Sequence, residues 1–449
     1  MKLIYDVKDK PKFGQLLLFA LQQLLAIMAA TLVVPIIVNN SGATNLEMDP
    51  AAALLGAGVG TLIYLLFTKG RSPVFLGSSF AFMTAMFSAT AFGYFGIIAG
   101  AILAGLVYVI IAAIIKIVGT KWVSKLMPPV VIGPTVALIG LSLAGSAVGN
   151  LTKASATGQT YNLIAILCGL ITLAVTVVCA TYGKKLSKLI PFIIGILAGY
   201  AAASVFTVIG NATGVEYLKI INFSALQTNF APVTFESFIH VPKFAFVQAI
   251  TEAPNFDWAN MGTIALLYMP VAFVVFAEHI ADHKNLSSII ERDLLEDPGL
   301  SRTLMGDGVG SMVGAFFGSC PNTTYGESIG CVAITRNASV YSILYAAAGA
   351  IILSFLSPFV AFINTIPDCV MGGVCIALYG FIAVSGLRMF KEVDLNKNRN
   401  LFVVSVILIT GVGGLALNFG KITITEIAAA LILGILTNVL LSGKSAQEE

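Results

Sequence analysis

The chain has 449 residues, of which 57% are hydrophobic and 10% charged, with a mean hydropathy of +0.93. Soluble domains carry about 25% charged residues because their surface faces water, so a globular enzyme in solution is all but excluded and most of this surface must face lipid. The net charge of +3 is too small to imply a nucleic-acid partner, and six cysteines without CxxC spacing or a histidine cluster indicate neither disulfides nor a metal site.

In chain order, apolar runs bounded by Gly, Pro and charge predict segments at 13–38, 51–68, 74–88, 93–118, 127–147, 161–181, 189–210, 258–282, 300–318, 320–335, 339–365, 367–387, 400–418 and 423–441. The expected fold class is an all-α polytopic membrane protein of fourteen transmembrane segments. The basic start (Lys2, Lys8, Lys10, Lys12) leads into a first run too long for a signal-peptide core, so no cleaved leader is expected. With both termini cytoplasmic, the inner loops carry Lys69/Arg71, Lys116/Lys121/Lys125, Lys184/Lys185/Lys188, Lys284/Arg292/Arg302, Arg336 and Arg388/Lys391/Lys397/Arg399. The opposite loops hold only Lys153, Lys219, Lys243 and Lys421 of 25 basic residues, which satisfies the positive-inside rule for fourteen crossings. The expected location is the inner (plasma) membrane, multi-pass. His240 falls in the long outer loop and is expected to be solvated.

Two internal matches suggest a repeat. Val74-Phe75-Leu76-Gly77-Ser78-Ser79 resembles Ala315-Phe316-Phe317-Gly318-Ser319-Cys320, and Val130, Gly133, Ala137, Leu138 and Gly140 match Val370, Gly373, Ala377, Leu378 and Gly380 at nearly the same offset. A seven-segment repeat is odd in number, so its second copy is expected to be inverted in the membrane, as in many secondary transporters. The short segments 74–88 and 320–335 occupy corresponding places. Each opens on a Gly/Ser-rich extended stretch and continues as a half-length apolar helix. Broken backbone at membrane depth is tolerated only where protein or a polar cavity satisfies it. Two half-helices meeting at mid-bilayer would aim their N-terminal amides into one site.

Intramembrane acids fall into this frame. Glu327 follows Pro321-Asn322-Thr323-Thr324-Tyr325-Gly326, and a carboxylate there asks for a function or a partner. Glu278 and Asp282 lie one turn apart in Ala277-Glu278-His279-Ile280-Ala281-Asp282-His283, with His279 and His283 on the adjacent face. Spacing leaves two readings of that cluster open, a membrane site or a solvated helix end. Asp307, in Gly306-Asp307-Gly308-Val309-Gly310, has no adjacent cation and reads as a proton carrier or a hydrogen-bond brace, among small residues suited to close helix packing. HExxH and Walker A motifs do not occur, and neither enzyme nor cofactor is indicated.

The run Pro321-Asn322-Thr323-Thr324-Tyr325-Gly326-Glu327-Ser328-Ile329-Gly330, followed by Ala333-Ile334-Thr335-Arg336, resembles the signature of the nucleobase–ascorbate transporter family, in its branch of bacterial uracil:proton symporters. Gly77-Ser78-Ser79-Phe80-Ala81-Phe82, Ala277-Glu278-His279, Asp293-Leu294-Leu295-Glu296-Asp297-Pro298-Gly299-Leu300 and Met371-Gly372-Gly373 extend the resemblance over nearly the whole chain. It implies two inverted repeats of seven segments, with short strands in segments 3 and 10. It also implies a core domain (1–126 and 258–365) and a gate domain (127–257 and 366–449). In that family the acids matching Glu278 and Glu327 accept from the uracil ring N–H groups. Main-chain amides at Phe80 and Gly326 meet its carbonyl oxygens, Phe80 and Tyr325 wall the ring, and Tyr379 approaches from the gate. Glu278, Asp282 and Asp307 are the expected proton-coupling acids, and a homodimer is the family expectation.

Two positions depart from the family pattern. Asp282 stands where the family's uracil carriers have histidine, with His283 one residue on, and Ser328 replaces the usual Asn. A second acid one turn from Glu278 disfavours joint ionisation, which suits a proton-binding pair. Glu327 favours a pyrimidine over a purine. The expected activity is uracil import by proton symport through an elevator-like or rocking exchange. The alternatives are a purine or xanthine carrier of the same family and an anion transporter of the same fold.

Overall fold

The computed structural model describes residues 3–40, 46–153, 161–184, 186–419 and 422–442; Lys2, Lys185, Lys421 and the two chain termini lie outside them. The principal helices are α1 (Phe13–Asn40), α2 (Pro50–Phe67), α3 (Met83–Ala89), α4 (Gly93–Val118), α5 (Pro129–Ser142), α6 (Leu163–Tyr182), α7 (Pro191–Thr213) and α8 (Met261–Ile290). They continue with α9 (Leu300–Phe317), α10 (Gly326–Thr335), α11 (Val340–Ser354), α12 (Asp368–Arg388), α13 (Asn398–Val412) and α14 (Glu426–Ser442). Strand β1 (Leu76–Ser78) precedes α3 and β2 (Asn322–Thr324) precedes α10, while β3 (Leu417–Phe419) and β4 (Ile422–Ile424) form a hairpin before α14. Among the described residues, eight helical stretches are long and apolar enough to cross a membrane.

Local sequence explains many of the helix starts. Pro occupies the first turn of α2, α5 and α7, where its missing N–H costs nothing. Asn162 caps α6 by accepting from the amides of Ile164 and Ala165. Asp49 caps α2 through the amide of Ala51, and its other oxygen accepts from the Lys243 amide at 2.9 Å and faces His240 Nε2 at 3.3 Å. Burial alone would raise the Asp49 pKa, but these hydrogen bonds hold it below its ordinary 3.8. The expectation that His240 is merely solvated is therefore corrected: it fastens the loop between α7 and α8 to the start of α2.

The helices pack in two sets. One contains α1–α4 and α8–α11, centred on the α2/α9 and α4/α9 contacts; the other contains α5–α7 and α12–α14, centred on α12. Helix α8 reaches across to α5, α14 and β4, and α1 to α7. Glycines set the closest approach. A Cβ on Gly60 would meet the Gly310 carbonyl at 2.7 Å, and one on Gly56 the Gly314 carbonyl at 2.4 Å. Small residues one turn apart on both helices thus let the α2 and α9 backbones touch. The outer faces of α6 and α7 expose Leu167, Leu170, Val177, Leu197, Val205 and Val208, as lipid-facing helices do.

Three sequence expectations shift. The eighth segment does not stop at 282 but runs on as α8 to Ile290, so Glu278 to His283 lie well inside the helix. Segment 339–365 is two helices, Val340–Ser354 and Ser357–Ile363, parted where Pro358 opens a new first turn. The match of 74–79 with 315–320 is out of register: Ala315–Phe317 is the last turn of α9, whereas the strand paired with β1 is β2.

Candidate functional site

Strands β1 and β2 pair antiparallel, Leu76 with Thr324, Gly77 with Thr323 and Ser78 with Asn322. Two further bonds extend the pair, Ser79 N to Pro321 O at 2.8 Å and Tyr325 N to Phe75 O at 3.1 Å. So short a sheet leaves outer backbone groups unpaired, and buried hydroxyls supply partners. Thr61 Oγ1 serves the Leu76 amide (3.0 Å), Ser311 Oγ the Asn322 amide (2.8 Å) and Ser328 Oγ the Phe75 amide (3.1 Å). Non-helical backbone is in this way satisfied within protein, as low-dielectric surroundings demand.

Each strand feeds a half-length helix. After β1 come the 3₁₀ turn Phe80–Phe82 and α3; after β2 comes Tyr325, the N-cap of α10. The Tyr325 ring lies on Gly77, where a Cβ would come within 2.4 Å of it, and its hydroxyl donates to the Ser78 carbonyl at 3.0 Å. Only glycine at position 77 admits this ring. Tyr325 is therefore 3% exposed and braces the strand crossing. Phe80 and Tyr379 meet edge to face, centroids 5.4 Å apart, and the Tyr379 hydroxyl lies 3.9 Å from Met83 Sδ. Tyr379, from α12, thus touches the start of α3 in the other helix set.

The first turn of α10 is open. Gly326 is exposed, and among the described residues a Cβ built on it or on Gly330, one turn later, would meet no heavy atom within 4 Å. Glu327 lies in that turn, where the helix dipole favours a negative charge. Helix α8 packs against α10 and brings Glu278 and Asp282 into the neighbourhood, so that Glu278 interacts electrostatically with Asp282, Asp307 and Glu327. Glu278 is partly buried and its Oε2 has no hydrogen-bond partner among the described residues. Asp282 accepts from Thr324 Oγ1 at 2.7 Å, tying α8 to the end of β2.

Asp307 turns away from this opening. Its Oδ2 lies 2.7 Å from His279 Nδ1, both residues are fully buried, and His279 Nε2 lies 3.0 Å from Thr303 Oγ1. Asp307 thus has a histidine partner that its sequence neighbours do not reveal. Sequence reading also missed Thr61, Ser311, Thr324 and Ser328; a Ser or Thr inside an apolar run was the available signal, but nothing in its spacing names the strand it serves. Among the described residues no cluster of three or more His, Cys, Asp and Glu side chains is arranged to hold a metal ion.

Comparison with known proteins accords with this architecture. A family model described as Permease family (Xan_ur_permease) matches residues 14–419. The chain is 40% identical over 454 residues to a uracil permease of Bacillus caldolyticus, covering 100% of this chain and 97% of that protein. It is 38% identical to a uracil permease of Escherichia coli, covering 96% and 92%. In fold it resembles the transmembrane domain of a cyanobacterial bicarbonate transporter, BicA, with a TM-score of 0.60 at 14% identity over 97% of this chain and 100% of that one. The chain belongs to the Permease family, and is a multi-pass membrane transporter.

Proposed function

We propose that this chain imports uracil, or a nucleobase of similar shape, by proton symport with alternating access. The relatives named uracil permease support the substrate. The observation that carries the site is Glu327 in the first turn of α10, beside the open space at Gly326 and within the electrostatic reach of Glu278. Glu278 and Glu327 accept the ring N–H groups, and the amides of Phe80 and Gly326 meet the ring carbonyls. Phe80 forms one wall, Tyr325 backs the crossing beneath it, and Tyr379 covers the site from the opposing helix set. A carboxylate accepting from a neutral donor makes a stronger hydrogen bond than a neutral acceptor does.

Protons are taken up by Glu278, Asp282 and Asp307, whose mutual repulsion favours binding at least one proton. Neutralising them lowers the cost of moving the site through a low-dielectric path. The two helix sets act as core (1–126 and 258–365) and gate (127–257 and 366–449), built from fourteen segments in two inverted repeats of seven. The chain sits in the inner membrane with both termini cytoplasmic and works as a homodimer. An anion carrier is the weaker reading, since three carboxylates at the site repel an anion.

Uptake of labelled uracil into proteoliposomes tests this. A pH gradient, acid outside, should drive accumulation, and unlabelled uracil should compete better than xanthine. Uptake indifferent to the gradient would remove the coupling; thermal stabilisation by xanthine but not uracil would move the substrate to the purines.

A further inference from the structure

The deep side of α8 carries titratable groups that the substrate reading leaves unused. His279 and His283 are 0% and 1% exposed, and their rings stack with centroids 4.0 Å apart. His283 Nδ1 lies 2.8 Å from the His279 carbonyl, which can only accept, so Nδ1 carries the hydrogen. Its Nε2 faces the Tyr64 hydroxyl at 2.8 Å, and that hydroxyl lies 2.7 Å from Ser72 Oγ. Tyr64 and Ser72 are fully buried, yet Ser72 directly follows Arg71, whose side chain is 40% exposed and pairs with Asp297. A file of three hydrogen-bonding groups thus runs from His283 to within one residue of the protein face that carries Lys69 and Arg71.

We propose that Ser72, Tyr64 and His283 form a proton relay between that face and the interior beside Asp307, and that the stacked His279–His283 pair holds one proton at a time. In the structure the Tyr64 hydroxyl donates to Ser72 Oγ; in the uncharged file both hydroxyls turn, so that Ser72 donates to Tyr64 and Tyr64 to His283 Nε2. A proton arriving at Ser72 shifts each hydroxyl hydrogen one place inward. The Tyr64 O–H bond breaks as Nε2–H forms, the Ser72 hydrogen moves to Tyr64, and the arriving proton takes its place on Ser72. His283 then donates to Tyr64 and Tyr64 to Ser72, with one proton gained and no other change.

Two imidazolium rings stacked this closely exclude each other. A charge on His279 instead faces Asp307, with Nε2–H donating to Thr303 and Thr303 to the Leu300 carbonyl at 3.1 Å, so each donor has an acceptor. The titratable groups touching the pair are Asp307 on α9 and Tyr64 on α2; Glu278 and Asp282 on α8 and Tyr108 on α4 interact electrostatically with Asp307, and Glu327 on α10 with Glu278 and Asp282. Through them a proton in the relay alters the field at the substrate-side acids. The relay residues are positioning groups for proton movement and do not touch the substrate.

The inference rests on the proton-symport reading, and the test separates the two. Full-length protein carrying Tyr64→Phe or Ser72→Ala is reconstituted in proteoliposomes. Uracil counterflow at equal pH is compared with net uptake driven by a pH gradient, and thermal stabilisation by uracil checks folding and binding. Tyr64→Phe keeps the ring, and should bind and exchange uracil within about twofold of the parent while gradient-driven uptake falls about tenfold or more. Ser72→Ala, which removes a smaller group, should show the same split and serves if Tyr64→Phe does not fold. Equal gradient-driven uptake in variant and parent, or equal losses in counterflow and driven uptake, would overturn the relay alone. A parent indifferent to the gradient would overturn the symport reading and the relay with it.

Discussion

The two faces of α8 carry similar polar groups in opposite states. On the deep face every ring nitrogen of His279 and His283 has a partner within 3.0 Å, all of them buried. On the face toward α10, among the described residues, Glu278 Oε2 has no partner, Gly326 is exposed and nothing lies within 4 Å of its missing Cβ. Asp307 Oδ1 also has no partner among the described residues, but its Oδ2 and the four paired ring nitrogens tie α8 to α9 and α2 and rigidify what they join, whereas a carboxylate oxygen beside an open space is costly unless something with donors docks against it. One helix therefore serves as anchor on one side and, under the proposed function, as receptor on the other. The histidines are structure-bearing whatever else they do; the acids are the groups whose partners come and go.

That contrast can be broken by mutation. The largest effect is expected on the histidine face. Asp307→Ala leaves His279 Nδ1–H buried without its acceptor and should cost about 3–5 kcal/mol of stability, read as a fall in melting temperature of detergent-purified protein; a small fall would mean the network is not an anchor. On the face toward α10 the loss should appear in binding. Glu327→Gln removes a charged acceptor worth about 1.5–3 kcal/mol, so uracil affinity should drop about ten- to hundredfold with little change in melting temperature. Full affinity in Glu327→Gln would place the receptor face elsewhere.

Thr324→Val sits between the faces. It strips Asp282 of its donor and should cost about 1 kcal/mol of stability, with the loss abolished in an Asp282→Asn background if the two act only as a pair. The smallest effect is expected away from both faces, at the loop between α7 and α8. Asp49→Asn keeps a good N-cap and should cost about 0.5–1 kcal/mol at neutral pH. Because the folded Asp49 pKa is held below 3.8, its contribution is present above that value and lost as pH falls through the lower folded one. Parent and variant melting curves should converge in strong acid; curves that stay parallel would mean the carboxylate charge is not what fastens the loop.

Much of the membrane architecture was legible because lipid simplifies the code. Long apolar runs with charged ends could be divided by eye, and Pro50, Pro129 and Pro191 sit where helices begin. Gly77-Ser78-Ser79 and Asn322-Thr323-Thr324 stood out as polar interruptions in otherwise apolar stretches. Register was harder. Phe-Gly-Ser at 317–319 imitates the β1 sequence, yet Gly318 takes φ 120° to end α9, because the same small residues that open a strand also stop a helix. Side-chain partnerships were out of reach: the separation of 28 positions between His279 and Asp307 carries no periodic signal, and their meeting follows only from how α8 and α9 pack. The Asp49–His240 contact, 191 positions apart, was hidden for the same reason.

The strand pair also restricts how this molecule can move. Because β1 and β2 hydrogen-bond to each other and the Tyr325 ring lies across Gly77, α3 and α10 share a single knot of backbone. Separating them would strip buried amides of partners all at once. A cargo held between them, as proposed above, would not be released by parting its own cradle; the cradle would travel whole, and the doors would be made by whatever slides past it.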